Sequence, residues 1–151
     1  MKIAEFSQFV GKEIGVSRWF SISQDRISVF AEVTEDRQGI HVDEIAAAKS
    51  PFGSTIAHGF LLASLLSAML GEVLPPFEDR AFAMNYGFDK LRFVSPVPVN
   101  ARVRGRFTLT DVQNRSNGDQ MNRFAVNIEI EGEAKPAMAA DWLTIERPAA
   151  T

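Results

Sequence analysis

The chain has 151 residues, 46% of them hydrophobic, and a formal net charge of -3 from sixteen Lys and Arg against nineteen Asp and Glu. That length suits one domain whose core needs neither disulfides nor a structural metal, and the slight acidic balance offers no basic field to a nucleic acid. The absence of cysteine excludes a disulfide frame, a thiolate metal site and a cysteine nucleophile.

Met1-Lys2-Ile3-Ala4-Glu5 places an acid where an export signal needs its apolar core, so a cytoplasmic location is expected. Ile3 to Ile14 reads as a short amphipathic segment broken by Gly11-Lys12-Glu13-Ile14-Gly15, and an edge strand is expected from Val16 to Ile22. Ser23 has the character of a helix N-cap, with Ile27, Phe30, Ala31 and Thr34 at helical spacing behind it, so the first helix is predicted from Ser23 to about Thr34. Glu35 to His41 reads as a loop around Gly39, followed by a short helix from Asp43 across Glu44-Ile45-Ala46-Ala47-Ala48.

Ser50-Pro51-Phe52-Gly53 breaks that helix, and the next begins near His58-Gly59 and runs to about Gly71, where Pro75-Pro76 prevents continuation. Between Gly59 and Leu70 the only polar side chains are Ser64 and Ser67, so no face of this helix is suited to water. A membrane span needs about 20 apolar residues. This run is shorter and is bounded by His58 and Glu72, so a buried central helix is expected and no membrane partner.

After the helix the period changes. Ala81 to Phe88 and Lys90 to Val94 are short strand candidates, and from Ala101 to Thr110 the alternation is strict, with Val103, Gly105, Phe107 and Leu109 on one side and Arg102, Arg104 and Arg106 on the other. Asn114-Arg115-Ser116-Asn117-Gly118-Asp119 turns the chain into a second strand, Met121 to Ile130, and Ala137 to Glu146 forms a last one. The expected architecture is α+β: a single domain over residues 1–151 in which a meandering antiparallel sheet curls around one apolar helix.

Asp36 and His41 flank Gly39 closely enough to act as an acid/base pair on one small molecule. Gly59 has two readings: close packing of the helix against the sheet, or a backbone N–H at the helix start offered to a carbonyl oxygen that becomes an oxyanion. Two histidines and no recognisable ligand spacing predict no metal.

Thr34-Glu35-Asp36-Arg37-Gln38-Gly39-Ile40-His41-Val42-Asp43 and Gly53-Ser54-Thr55-Ile56-Ala57-His58-Gly59-Phe60 resemble the two signature segments of the MaoC-like dehydratases, the (R)-specific enoyl-CoA hydratase group. With Asn85-Tyr86-Gly87-Phe88-Asp89-Lys90-Leu91-Arg92-Phe93-Val94-Ser95-Pro96-Val97 the chain is similar to the nodulation protein N-like branch, over about Val16 to Val112. The resemblance implies a hot-dog fold, a homodimer or higher homo-oligomer, and reversible hydration of a trans-2-enoyl thioester to the (R)-3-hydroxyacyl thioester. Coenzyme A then enters as part of the acyl-thioester substrate and no separate cofactor is expected. Asp36, His41 and Gly59 fall on the catalytic positions, while Gln38, His58, Asn85 and Arg92 are candidates for substrate binding. Where the family commonly has Gly before the Asp, Asn two residues after it and Pro or a bulky residue before the Ile-His pair, this chain has Glu35, Gln38 and Gly39. A carboxylate at Glu35 raises the cost of ionising Asp36 if both face one pocket. The alternatives are a 3-hydroxyacyl-ACP dehydratase, a non-catalytic acyl-thioester-binding hot-dog protein and, with weaker support, a thioesterase.

Overall fold

The computed structural model describes residues 1–150. A 3-10 helix, Ile3–Phe9, leads into β1 (Glu13–Val16) and β2 (Phe20–Ser21). The helices α1 (Gln24–Thr34), α2 (Gly39–Val42), α3 (Glu44–Ala48) and α4 (Gly59–Gly71) come next, then β3 (Arg80–Phe93), β4 (Arg102–Asn114), β5 (Gln120–Ile130) and β6 (Met138–Pro148).

The strands make one antiparallel sheet in the order β1-β4-β5-β6-β3, with β2 also on β4. Strict alternation on β4 and β5 sends Val103, Phe107, Leu109, Phe124, Val126 and Ile128 to one buried face. Leu62, Leu66 and Met69 of α4 are buried in the same core, which is the wrapping that an uncharged helix requires. Truncating a fully buried leucine such as Leu66 to alanine costs about 2–5 kcal/mol in such a setting.

The predicted α1 is observed, with Ser23 accepting a hydrogen bond from Arg26 N–H, and so is α3, where Asp43 accepts from Ala46 N–H. Three expectations are corrected. The edge strand starts earlier, at Glu13, and breaks after Val16. Ser17 N–H still reaches the Gly105 carbonyl of β4, and one residue later Arg18 N–H turns away to the Glu72 carboxylate. The two short strands expected between Ala81 and Val94 are one, β3, whose register shifts at Asn85/Gly87 and at Phe88/Lys90 absorb the irregularity as bulges instead of a break. The loop around Gly39 contains a helical turn, α2, so His41 sits on a helix.

One flank of this arrangement stays open. Phe60, Ser64 and Ser67 of α4 are exposed, and β3 at the end of the sheet is exposed along nearly its whole length, including Phe82, Met84, Tyr86 and Phe88. Among the described residues no helix is long and apolar enough to cross a membrane.

Candidate active site

Three local devices gather the site. The first is the end of α1, where Glu35 takes the left-handed conformation (φ 62°, ψ 11°) and turns the chain so that Asp36 follows half-buried. Left-handed backbone is the region in which glycine is free of strain, which gives a physical reason for a glycine to be common at this position. The Glu35 side chain is exposed, so it does not crowd the Asp36 carboxylate in a shared pocket.

The second device is α2. It carries His41, which is buried, and places Nδ1 2.7 Å from the Ile56 carbonyl oxygen. A carbonyl only accepts, so Nδ1 carries the proton of this bond and the lone pair of the neutral ring is left on Nε2. Ile56 N–H in turn donates to the Ile40 carbonyl at 3.0 Å, and Gln24 Nε2 donates to the His41 carbonyl at 2.9 Å, so the turn is held from both sides.

The third device is the start of α4. His58 occupies the N-cap position without a side-chain capping bond. Its ring instead donates from Nε2 to the Asp36 backbone carbonyl at 2.9 Å, stacks on His41 with centroids 3.7 Å apart and planes 21° apart, and meets the tilted Phe30 ring at 5.0 Å. His58 therefore ties the Asp36 loop to the helix start.

The ligand atoms of Asp36, His41 and His58 lie within 4.8 Å of one another. That spacing alone suits a cation, but a histidine lone pair lies in the ring plane. Two stacked rings direct their lone pairs in nearly parallel planes, and these do not converge as a tetrahedral ion demands. The same closeness does serve proton exchange between a carboxylate and an imidazole.

His41 and Gly59 line one cavity of about 270 Å³, together with Ile56, Leu62, Phe93 and Val97. Asp36 is not on that wall, and it joins the site through its proximity to the histidine rings. The N–H groups of Gly59 and Phe60 precede the first bond of α4, which Leu61 N–H makes to the His58 carbonyl at 3.1 Å, so they have no intrahelical acceptor. A Cβ at Gly59 would come within 2.8 Å of the Phe93 ring, so the packing reading of this glycine has direct support, and the donor reading remains compatible with it. Phe93 and Ile56 were not candidates in the sequence; a backbone carbonyl such as that of Ile56 leaves no side-chain signal.

The other sequence candidates lie apart. Gln38 is an exposed N-cap of α2 with no capping bond from its side chain. Asn85 bonds Ser67 across the α4–β3 groove, its Nδ2 3.3 Å from the serine oxygen, some two turns along the helix from Gly59. Arg92 is exposed on β3 and donates to the Leu91 carbonyl at 2.8 Å; among the described residues no carboxylate pairs with it. The alternating arginines of β4 are occupied: Arg102 by Glu131, Arg104 by Glu129, and Arg106 by both Glu129 and Glu13. Arg106 and Arg104 hold the Glu129 carboxyl below the usual glutamate range, as expected of a solvated, paired strand face.

The family model described as "MaoC like domain" matches residues 5–132. The chain belongs to the MaoC-like family. Nodulation protein N of Rhizobium meliloti is 47% identical over 146 residues, covering 96% of this chain and 91% of the relative. The 3-hydroxyacyl-thioester dehydratase Z of Mycobacterium tuberculosis is 40% identical over 139 residues, covering 92% and 91%. Among solved structures, the unliganded R-hydratase PhaJ1 of Pseudomonas aeruginosa superposes with a TM-score of 0.74 at 26% identity, over 93% of this chain and 83% of that one. The fold is accordingly the MaoC-like hot-dog, antiparallel sheet around helix, and the relatives of this MaoC-like protein include proteins named as hydratases and dehydratases.

Proposed function

We propose that this MaoC-like protein is a hydro-lyase that reversibly hydrates a trans-2-enoyl thioester to the (R)-3-hydroxyacyl thioester. The observation that carries the reading is the meeting of a carboxylate and an imidazole with a fixed tautomer, within 4.8 Å, beside the N-terminus of a long helix. His41 Nε2 accepts a proton from water as the oxygen attacks C3, and the His41–Asp36 pair returns a proton to C2. The C3–O and C2–H bonds form as the C2=C3 π bond is lost, so one water adds and nothing else is consumed. Gly59 N–H stabilises the thioester oxygen while it carries enolate charge, a task that a donor at a helix N-terminus performs without reorganising. His58 positions the pair by holding the Asp36 carbonyl.

Coenzyme A is the carrier in this proposal. Arg92 is suited to its phosphates, because it lacks the carboxylate partner that each β4 arginine has. Replacing Arg92 with alanine should raise KM with little change in kcat. A homodimer completes the protein: the unpaired edge of β3, with its apolar side chains exposed, is the kind of edge that folded proteins cover. Sedimentation should then show a dimer.

The deciding experiment follows the loss of the conjugated enoyl thioester of crotonyl-CoA in wild type, Asp36→Asn and His41→Gln. Activity retained in both variants overturns the site. Inactivity of the wild type over several chain lengths and both carriers favours a non-catalytic thioester binder.

A further inference from the structure

The cavity that holds His41 and Gly59 carries, among the described residues, one other side chain able to hydrogen-bond. This is Ser95, two residues past the end of β3, in a wall that Phe52, Ile56, Leu62 and Phe93 make otherwise apolar. Ser95 is half-buried, and its Oγ neither joins a side-chain hydrogen bond among the described residues nor counts among their unpartnered polar atoms sealed from solvent. An unpaired hydroxyl that solvent still reaches is free to bond whatever enters the cavity.

The backbone that carries it is fixed from both sides. Val94 N–H donates to the Ala137 carbonyl at 2.8 Å and Ser95 N–H to the same oxygen at 3.3 Å, which ties the end of β3 to the chain entering β6. Two residues on, the Val97 carbonyl accepts from Ala57 N–H at 2.8 Å, and Val99 N–H reaches the Thr55 carbonyl at 2.9 Å. Pro96 and Pro98 stiffen the segment between these ties by fixing φ. Ala57 leads directly into α4, so the Ser95 segment is held against the chain that delivers Gly59. A hydroxyl on so constrained a backbone is placed before any ligand arrives and costs little to order.

We propose that Ser95 Oγ is a substrate-binding group for the amide nearest the sulfur of a phosphopantetheine-type carrier arm. The inference rests on the hydratase reading, in which Gly59 N–H meets the thioester oxygen while Asp36 and His41 meet the added water. A plain enoyl chain has no further hydrogen-bonding group. On the carrier side the first such group is an amide, two methylenes from the sulfur, and it donates and accepts as a hydroxyl does. Arg92, suited to the phosphates at the other end of the arm, stands three residues before Ser95.

The test uses two saturated thioesters, which have no double bond to hydrate. S-Butyryl-N-acetylcysteamine carries the amide, and S-pentyl butanethioate has the same chain with two methylenes in its place. NMR titration of the full chain gives the Kd of each ligand for wild type, Ser95→Ala and Ser95→Thr. Ser95→Ala should weaken the amide ligand roughly three- to tenfold, the scale of one neutral hydrogen bond, and the pentyl ligand by less than about twofold. Ser95→Thr, which keeps the hydroxyl, should stay near wild type for both. Equal losses for the two ligands make Ser95 a packing residue, and no loss for either leaves its hydroxyl to water. Each of these overturns the contact, as does failure of the amide ligand to bind wild type. Turnover of crotonyl-CoA is followed separately: an amide-selective loss without turnover keeps the contact and removes the hydratase reading, whereas turnover without the selective loss does the reverse.

Discussion

The two ends of α4 meet buried polar side chains that differ in how they are anchored, although His58 Nδ1 at the first end, like Thr144 Oγ1 at the second, is buried without a hydrogen-bond partner among the described residues. At Gly59 the histidines are tied to backbone carbonyls, His41 to Ile56 and His58 to Asp36, and each keeps one ring nitrogen free of those ties. At Leu70 the polar groups of β6 are as deeply buried, but Thr144 Oγ1 has no hydrogen-bond partner among the described residues and Glu146 Oε2 has only the Arg80 ion pair at 3.5 Å. Anchoring fixes tautomer and orientation, which acid/base chemistry needs. A buried polar atom without such a tie costs stability instead.

The sharpest way to break this contrast is at the anchored end. Asp36→Asn and His41→Gln should each lower kcat/KM for crotonyl-CoA by roughly 10²–10⁴, with thermal melting close to wild type. A loss confined to KM would mean that the pair binds substrate and does not move protons.

Next in size is Gly59→Ala, which retains the N–H but drives a Cβ to 2.8 Å from the Phe93 ring. Activity should fall by about 10², the scale of a lost oxyanion contact. The double variant Gly59→Ala/Phe93→Leu separates the two roles of the glycine. Full recovery leaves packing as its only role, whereas persistent loss shows that the substrate carbonyl needs the space over the amide.

At the far end the effect is on stability. Burial pushes the Glu146 carboxyl above the ordinary glutamate range, opposed in part by Arg80. A raised acid binds its proton more tightly in the fold than in the unfolded chain. Its contribution is therefore fully present below the unfolded value and is lost as pH rises through the folded one. Glu146→Gln should match wild type in acid and exceed it at pH 8 by on the order of 1 kcal/mol, the scale of an unpartnered buried polar atom. Melting curves across pH check this, and a wild type that stays the more stable at pH 8 would show that Arg80 outweighs burial.

The two ends also differ in how far they could be read from residues alone. Asp36, His41, His58 and Gly59 fall within one stretch joined by a cap, one helical turn and a glycine; the local pattern offered Asp36 and His41 only weakly and left Gly59 between packing and donor, and it was the family resemblance that singled the positions out. Their hydrogen bonds were not legible, because the acceptors are the backbone carbonyls of Ile56 and Asp36. α2 is four residues long, too short for any hydrophobic period to show. The alternation of β4 and β5 gave the meander directly. β6 read as small and apolar, and nothing local marks Thr144 and Glu146 as facing inward; the register against Asn122 and Gln120 does that. β3 hid its continuity in bulges, since each one-residue shift reverses which face a side chain takes.

The smallest expected effect returns to the turn that delivers Asp36. Glu35 holds φ 62° with a side chain, a conformation that costs a non-glycine residue roughly 1 kcal/mol. Its carboxylate is exposed and makes no ion pair among the described residues, so nothing evident offsets that cost. Glu35→Gly should therefore raise stability by about 0.5–1 kcal/mol, less the extra freedom that glycine gives the unfolded chain. Activity distinguishes two accounts of the gain. If the turn merely reverses the chain, kcat is unchanged while the melting temperature rises. If the strained turn is what presses Asp36 toward His41, the more stable variant is the slower enzyme, and the anchored end of α4 holds its carboxylate by backbone strain as well as by the His58 hydrogen bond.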